Sequence, residues 1–172
     1  DDQDLVPILA WEKYHDNRDE LKKREKILAR DPKIAYFYAY VLKGRFELGE
    51  PTIAKDGYHS YWYAKEVIGN RFPLGEAAIA KDAGFSYSYA YYVLRGPFKL
   101  GEPAIAKDGQ YSYDYAKWVL KSRFRLGEPA IINAHIALDY AIAINGPFPE
   151  GEDSIISGGW LACFQYADKC LN

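Results

Sequence analysis

Residues 79–108 read IAKDAGFSYSYAYYVLRGPFKLGEPAIAKD, which opens and closes on the same four-residue motif 26 positions apart. The same words recur on both sides. Arg-Phe-x-Leu-Gly-Glu occupies 45–50, 71–76 and 123–128, and returns with Pro in place of Arg at 97–102 and, in weaker form, at 147–152. The phenylalanines stand at 46, 72, 98, 124 and 148, in steps of 26, 26, 26 and 24. A Tyr-Ala pair keeps pace at Tyr38, Tyr63, Tyr89, Tyr115, Tyr140 and Tyr166. A fixed period of this length marks an array of stacked units, each too small to bury its own apolar face.

Five consecutive units and a partial sixth fill residues 31–172. Residues 25–31, Glu-x-x-Leu-Ala-Arg-Asp, are a degenerate copy of the unit's second half. Residues 1–30 therefore read as an N-terminal capping region carrying that half-repeat. The charged run from Trp11 to Lys26 suits a solvated capping helix within it. The whole reads as a single domain.

Each unit reads as two helices. The first opens on an Asp followed by Pro or Gly, as at Asp31-Pro32, Asp56-Gly57 and Asp108-Gly109. An Asp side chain accepts hydrogen bonds from the unpaired N–H groups of a helix start, and Pro suits its first turn. Tyr61, Ala64, Val67 and Ile68 then follow at helical spacing, and Gly44, Gly69 and Gly96 supply stops. The second helix is short, opens at Gly-Glu-Pro and buries Ile53, Ile79, Ile105 and Ile131. The Tyr-x-Tyr alternation is also a strand signal, but it is short and runs into Ala and Lys between helix caps. The expected fold is all-α, an α-solenoid of tandem 26-residue helix–turn–helix repeats.

The chain carries 22 basic and 24 acidic residues, a net charge of -2, so no basic excess draws it to phosphate backbones. Aromatics are plentiful, with 16 Tyr, 8 Phe and 4 Trp. Cys163 and Cys170 are two helical turns apart, roughly 10 Å, too far for a disulfide on one helix. They read as reduced thiols of a cytoplasmic protein. No apolar run approaches the ~20 residues of a membrane span, and no signal-peptide pattern is present.

Most residues that look chemical recur with the unit. Glu50, Glu76, Glu102, Glu128 and Glu152 stand in register, as do Lys55, Lys81, Lys107 and the aspartates beside them. The glutamates read as helix-start residues favoured by the helix dipole. The arginine of Arg-Phe reads as a partner for a Glu or a carbonyl of a neighbouring unit. Ser60, Ser86 and Ser112 repeat too, as caps or packing residues. His15, His59 and His135 are scattered, without metal-ligand spacing, and no phosphate-cradling glycine loop occurs. The expectation is therefore no catalytic residue, no metal site and no cofactor.

Aromatics that change from unit to unit are different. In an array, repeated positions build the scaffold, and Tyr, Trp and Arg concentrate binding energy at protein interfaces. Tyr58, Trp62, Phe85, Tyr91, Tyr92, Arg95, Tyr111, Trp118 and Lys121 form the candidate interaction surface.

The consensus Asp-x-x-Tyr-Ser-Tyr-x-Tyr-Ala-x-x-Val-Leu-x-x-Arg-Phe-x-Leu-Gly-Glu-Pro-Ala-Ile-Ala-Lys resembles a tandem repeat found in proteins of large tailed bacteriophages. The resemblance spans about 25–172. It implies a phage protein made in the bacterial host cytoplasm, and says little of function because those proteins are mostly uncharacterised. Here Asp-Gly twice and Asp82-Ala83 once replace that family's usual Asp-Pro. The expected function is a non-enzymatic scaffold for protein–protein interaction that binds or inhibits a host factor. The alternatives are a structural or virion-associated component that self-associates through its C-terminal end, and a binder of a small ligand or of single-stranded nucleic acid, the last disfavoured by the net charge. No membrane association is expected.

Overall fold

The structure, a computed structural model, describes residues 24–171. The expected capping helix lies outside the described residues, apart from Arg24 to Lys26. Every regular element among the described residues is helical, so the fold is all-α. Two compact units divide the chain, Asp1–Ile79 and Ala80–Asn172.

In the first unit, α1 (Glu25–Leu28) is followed by α2 (Pro32–Leu42), α3 (Glu50–Ile53) and α4 (Gly57–Trp62). Helix α4 runs on as a π-helix over Tyr63–Ile68, and a 3₁₀ turn at Pro73–Gly75 leads into α5 (Glu76–Ile79). The long helices start where an extended Asp turns its carboxylate onto the first free N–H groups. Asp31 accepts from Ile34 N–H at 2.9 Å and Asp56 from His59 N–H at 2.8 Å.

The second unit repeats this plan. Helix α6 (Ala83–Ser88) continues as a π-helix over Tyr89–Leu94, and α8 (Gly109–Asp114) as a π-helix over Tyr115–Leu120. The short α7 (Glu102–Ile105) lies between them, and a 3₁₀ turn at Glu128–Ala130 stands in the place of the next short helix. Then come α9 (Ala134–Ala143), α10 (Glu152–Ser157) and α11 (Trp160–Cys170). Asp82 caps through Phe85 N–H at 2.8 Å, so Ala83 in place of Pro leaves the cap intact. Asn133 does the same work for α9, accepting from His135 N–H at 3.0 Å.

The core follows the repeat. Ile53 and Ile79 in the first unit, and Ile105, Ile131 and Ile155 in the second, are buried. The Tyr-Ala tyrosines from Tyr38 to Tyr140 each meet the phenylalanine of their own repeat edge to face. The centroid distances are 4.7 Å for Tyr38–Phe46, 5.1 Å for Tyr115–Phe124 and 4.9 Å for Tyr140–Phe148. Such pairs contribute about 0.5–1.5 kcal/mol beyond area burial. Tyr61 and Tyr63 are both buried although two helical positions lie about 200° apart. A helix in the interior of a stack is covered on two sides, and this is why an alternating pattern here is helical.

The π-turns explain one residue of the uneven period; the fifth repeat loses a second between Phe124 and Asn133, where a 3₁₀ turn replaces the short helix. The separation from capping residue to phenylalanine is 15 from Asp31 to Phe46 and from Asn133 to Phe148, where the helices end as α. It is 16 from Asp56 to Phe72, Asp82 to Phe98 and Asp108 to Phe124, where each helix ends as π. Tyr-Ala-Tyr40-Val-Leu against Tyr-Ala-Lys65-Glu66-Val-Ile places the extra residue in the pair Lys65-Glu66, and in the following repeats in Tyr91-Tyr92 and Lys117-Trp118. A π-turn takes up one additional residue without moving what flanks it.

The helix stops differ in part from expectation. Gly69 does end its helix in the left-handed region, at φ 66°. In the repeats with Gly44 and Gly96, the left-handed residue is instead the preceding Lys43 (φ 51°) or Arg95 (φ 52°), and Lys121 (φ 53°) takes the place in the next repeat. The carbonyl left free at the helix end sets where the chain must reverse, and that residue adopts the turn whatever its side chain.

Deletion of Glu66 should convert the second repeat into the 25-residue form of the first. We expect cooperative thermal unfolding followed by circular dichroism to persist, with the midpoint within about 5 °C of the parent, roughly 1–2 kcal/mol in a chain of this size. Deletion of Ala64, which puts the Lys65 side chain at the fully buried position beside Tyr63, should abolish the cooperative transition.

Candidate interaction cleft

One hydrogen-bonded assembly recurs along both units. In the first, the Arg45 guanidinium grips Glu50 with two bonds, Nε to Oε1 at 2.8 Å and a second nitrogen to Oε2 at 2.9 Å. The Tyr63 hydroxyl arrives from the following long helix. It donates to Glu50 Oε1 at 2.9 Å and accepts from Phe46 N–H at 2.9 Å. Tyr38 reaches Glu25 in the same way at 2.8 Å, which makes the degenerate half-repeat a working one. In the second unit the hydroxyls of Tyr115, Tyr140 and Tyr166 donate to Glu102, Glu128 and Glu152 and accept from Phe98, Phe124 and Phe148 N–H.

The glutamates stand at helix starts as expected, but their carboxylates are engaged elsewhere: Glu50 is 5% exposed and is used by Arg45 and Tyr63. The Tyr-Ala tyrosines turn their hydroxyls inward. The arginine pairs with the Glu of its own repeat, five residues on, as in Arg71–Glu76 at 2.5 Å. Arg123 also spans to the following repeat, meeting the Pro147 carbonyl at 3.1 Å. Where Pro97 removes the arginine, Lys99 supplies the charge, with Nζ 3.0 Å from Glu102.

Burial pushes the Glu50 carboxyl upward, but the bonds from Arg45 and Tyr63 outweigh it and hold the group below its ordinary value. Its stabilising contribution is present at neutral pH and is lost as pH falls through that lowered value. Burial first, then the Glu50 bond, pushes the Tyr63 hydroxyl well above the usual phenol range. An ionised carboxylate facing a neutral phenol is a fixed hydrogen bond rather than a proton-transfer pair.

The repeated serines are packing groups, as expected. Ser60 and Ser112 are fully buried and donate to the carbonyls of Ile53 and Ile105 at 2.9 and 3.1 Å. Glycine is required opposite them. A Cβ on Gly75 would lie 2.6 Å from Ser60 Oγ, and one on Gly127 2.3 Å from Ser112 Oγ.

With the scaffold accounted for, four of the nine candidate residues converge. Tyr91, Arg95, Trp118 and Lys121, with Ala90, Gly96 and Val119, line an open cleft of about 330 Å³ in the second unit. Tyr91 and Trp118 are 40% and 50% exposed. Tyr92 stands beside them, its ring 4.9 Å from and perpendicular to Tyr91. Lys117 lies over the Trp118 ring at 4.7 Å and donates to Tyr113 OH at 2.6 Å. Tyr58 and Trp62 form a separate cluster in the first unit, with Lys65 Nζ 4.7 Å from the Trp62 ring. Phe85 and Tyr111 are half-buried. Tyr111 packs on Tyr87 at 5.8 Å and serves the scaffold as much as the surface.

Among the described residues no group of His, Cys, Asp and Glu could hold a metal ion, and no helix is long and apolar enough to cross a membrane. Cys163 and Cys170 are free thiols. No family model, curated protein or solved structure matches this chain.

Tyr63→Phe leaves the Phe46 N–H without its acceptor and Glu50 without one donor. We expect a loss of about 2–4 kcal/mol in urea-induced unfolding, against a change within about 0.5 kcal/mol for Tyr58→Phe at an exposed position.

Proposed function

We propose that this chain is a non-enzymatic repeat scaffold for protein–protein interaction, with the Tyr91–Trp118 cleft at the centre of its contact surface. The observation that carries this is a division of labour. Residues that repeat are consumed by the core and the Arg–Glu–Tyr assembly, whereas Tyr91, Tyr92, Arg95, Trp118 and Lys121 stand outside it and gather in one place. Tyr, Trp and Arg together are the composition of energetic centres at protein interfaces. The phage-type repeat makes a bacterial host factor the partner we propose, bound or inhibited in the cytoplasm. A partner captured from host cells by the parent chain should be retained by Tyr58→Ala. It should bind at least tenfold more weakly to the Tyr91→Ala/Trp118→Ala double variant, about 1.4 kcal/mol or more. Recovery of the same proteins by parent and double variant, or of none by the parent, overturns the reading.

A second reading, self-association of two copies, has its own observation. Helix α11 leaves Trp160 80% and Phe164 64% exposed. The residues in register with Phe164 in the two preceding repeats, Tyr113 and Leu138, are each 8% exposed, covered by the repeat that follows. A second copy, made of the same repeats, is the occupant this face fits. Sedimentation mass should then rise with concentration in the parent and stay at the monomer value in Phe164→Glu. A concentration-independent monomer removes this reading.

A further inference from the structure

We infer that the Tyr91–Trp118 cleft binds a short acidic peptide segment, its carboxylates meeting Arg95 and Lys121 and an apolar side chain entering between the two aromatic rings. The inference rests on the protein-binding reading above and names the chemistry of the partner.

Arg95 and Lys121 are exposed cations with no ion pair or hydrogen bond from their side chains among the described residues. By contrast Arg45, Arg71, Lys99 and Arg123 all hold glutamates. Nor are their side chains needed to satisfy the ends of their helices. The Ala90 carbonyl accepts from the backbone N–H groups of Arg95 and Gly96, and the Ala116 carbonyl from those of Lys121 and Ser122. Both residues also hold left-handed backbone, φ 52° and 53°, where the preceding repeat places Gly69. An L-residue there is strained relative to glycine. Two unneutralised charges thus flank a cleft whose walls are Tyr91 and Trp118.

The same geometry separates an acidic peptide from a polynucleotide. A strand needs cations and stacking rings that continue along its path. Position by position, the register of Arg95 and Lys121 reads Lys43, Gly69, Arg95, Lys121, Asn145, so the charge stops after two adjacent repeats of the second unit. The net charge of -2 gives no long-range attraction for a polyanion. About 330 Å³ accommodates a side chain and its neighbours, near the lower end of the range for ligand clefts. A guanidinium and an ammonium lining the same cleft as two aromatic rings match carboxylates flanking an apolar residue.

The test is selection of random displayed peptides on the immobilised full chain, with binding of the selected peptides measured by fluorescence anisotropy. We expect enrichment of Asp and Glu around an aromatic or aliphatic residue, and affinity that falls with added salt. Arg95→Gly/Lys121→Gly should weaken binding at least tenfold while the melting temperature stays no lower than the parent's, because glycine suits the left-handed backbone. Selection of nothing, or acidic peptides that bind the double variant as tightly as the parent, overturns the inference. Neutral peptides whose binding is lost in Trp118→Ala would overturn the acidic specificity and leave the protein-binding reading standing. Tighter binding of an oligothymidine than of any selected peptide would overturn both in favour of nucleic acid.

Discussion

The bond from a tyrosine hydroxyl to the buried glutamate of the repeat before it is the constraint on which the rest depends. Glu50 can stay ionised out of water only because Arg45 and Tyr63 both reach it. Tyr63 can stay buried only because its oxygen has a donor in Phe46 N–H and an acceptor in Glu50. Tyr63 finds both its partners in the preceding repeat, and Glu50 takes from the following one the donor that joins Arg45, so the hydrogen bonding of one repeat is completed by the next. Apolar burial would hold two repeats together in many registers. The hydrogen bonds allow one.

That constraint also shows where variation is tolerated. When Pro97 takes the arginine away, Lys99 brings an ammonium to Glu102 from a different backbone position. At Glu152 neither Pro147 nor Pro149 offers a charge, and Tyr166 is the hydrogen-bond partner that remains. The Glu–Tyr bond is present in both cases, and the cation is the adaptable member. The π-turn belongs to the same logic. An additional residue between Tyr-Ala and the phenylalanine would rotate one landmark away from the other in an α-helix. The wider turn takes up the residue, and Tyr92 and Trp118 stand exposed while Tyr115 and Phe124 keep their contact. The surface we propose for binding thus lies on the π-turns and the residues that end them, clear of the scaffold contacts.

The sequence by itself determined a great deal: the period, the helical class, the Asp caps, the buried isoleucines and the packing role of the serines. These are local or strictly periodic, and period and capping chemistry are written in residue order. It also separated repeated positions from variable ones, which is why Tyr91, Arg95, Trp118 and Lys121 could be singled out. Three things were decided only by the tertiary structure. One was the fate of the glutamates, whose partners lie up to 14 residues away on the next helix and whose burial no local pattern records. Another was the π-turn, which a shift of one in spacing hints at and only backbone geometry reveals. The last was the gathering of four candidates into one cleft while Tyr58, Trp62, Phe85 and Tyr111 went elsewhere. Positions one repeat apart become neighbours only through the rise and rotation of the stack, and packing sets those quantities rather than residue order.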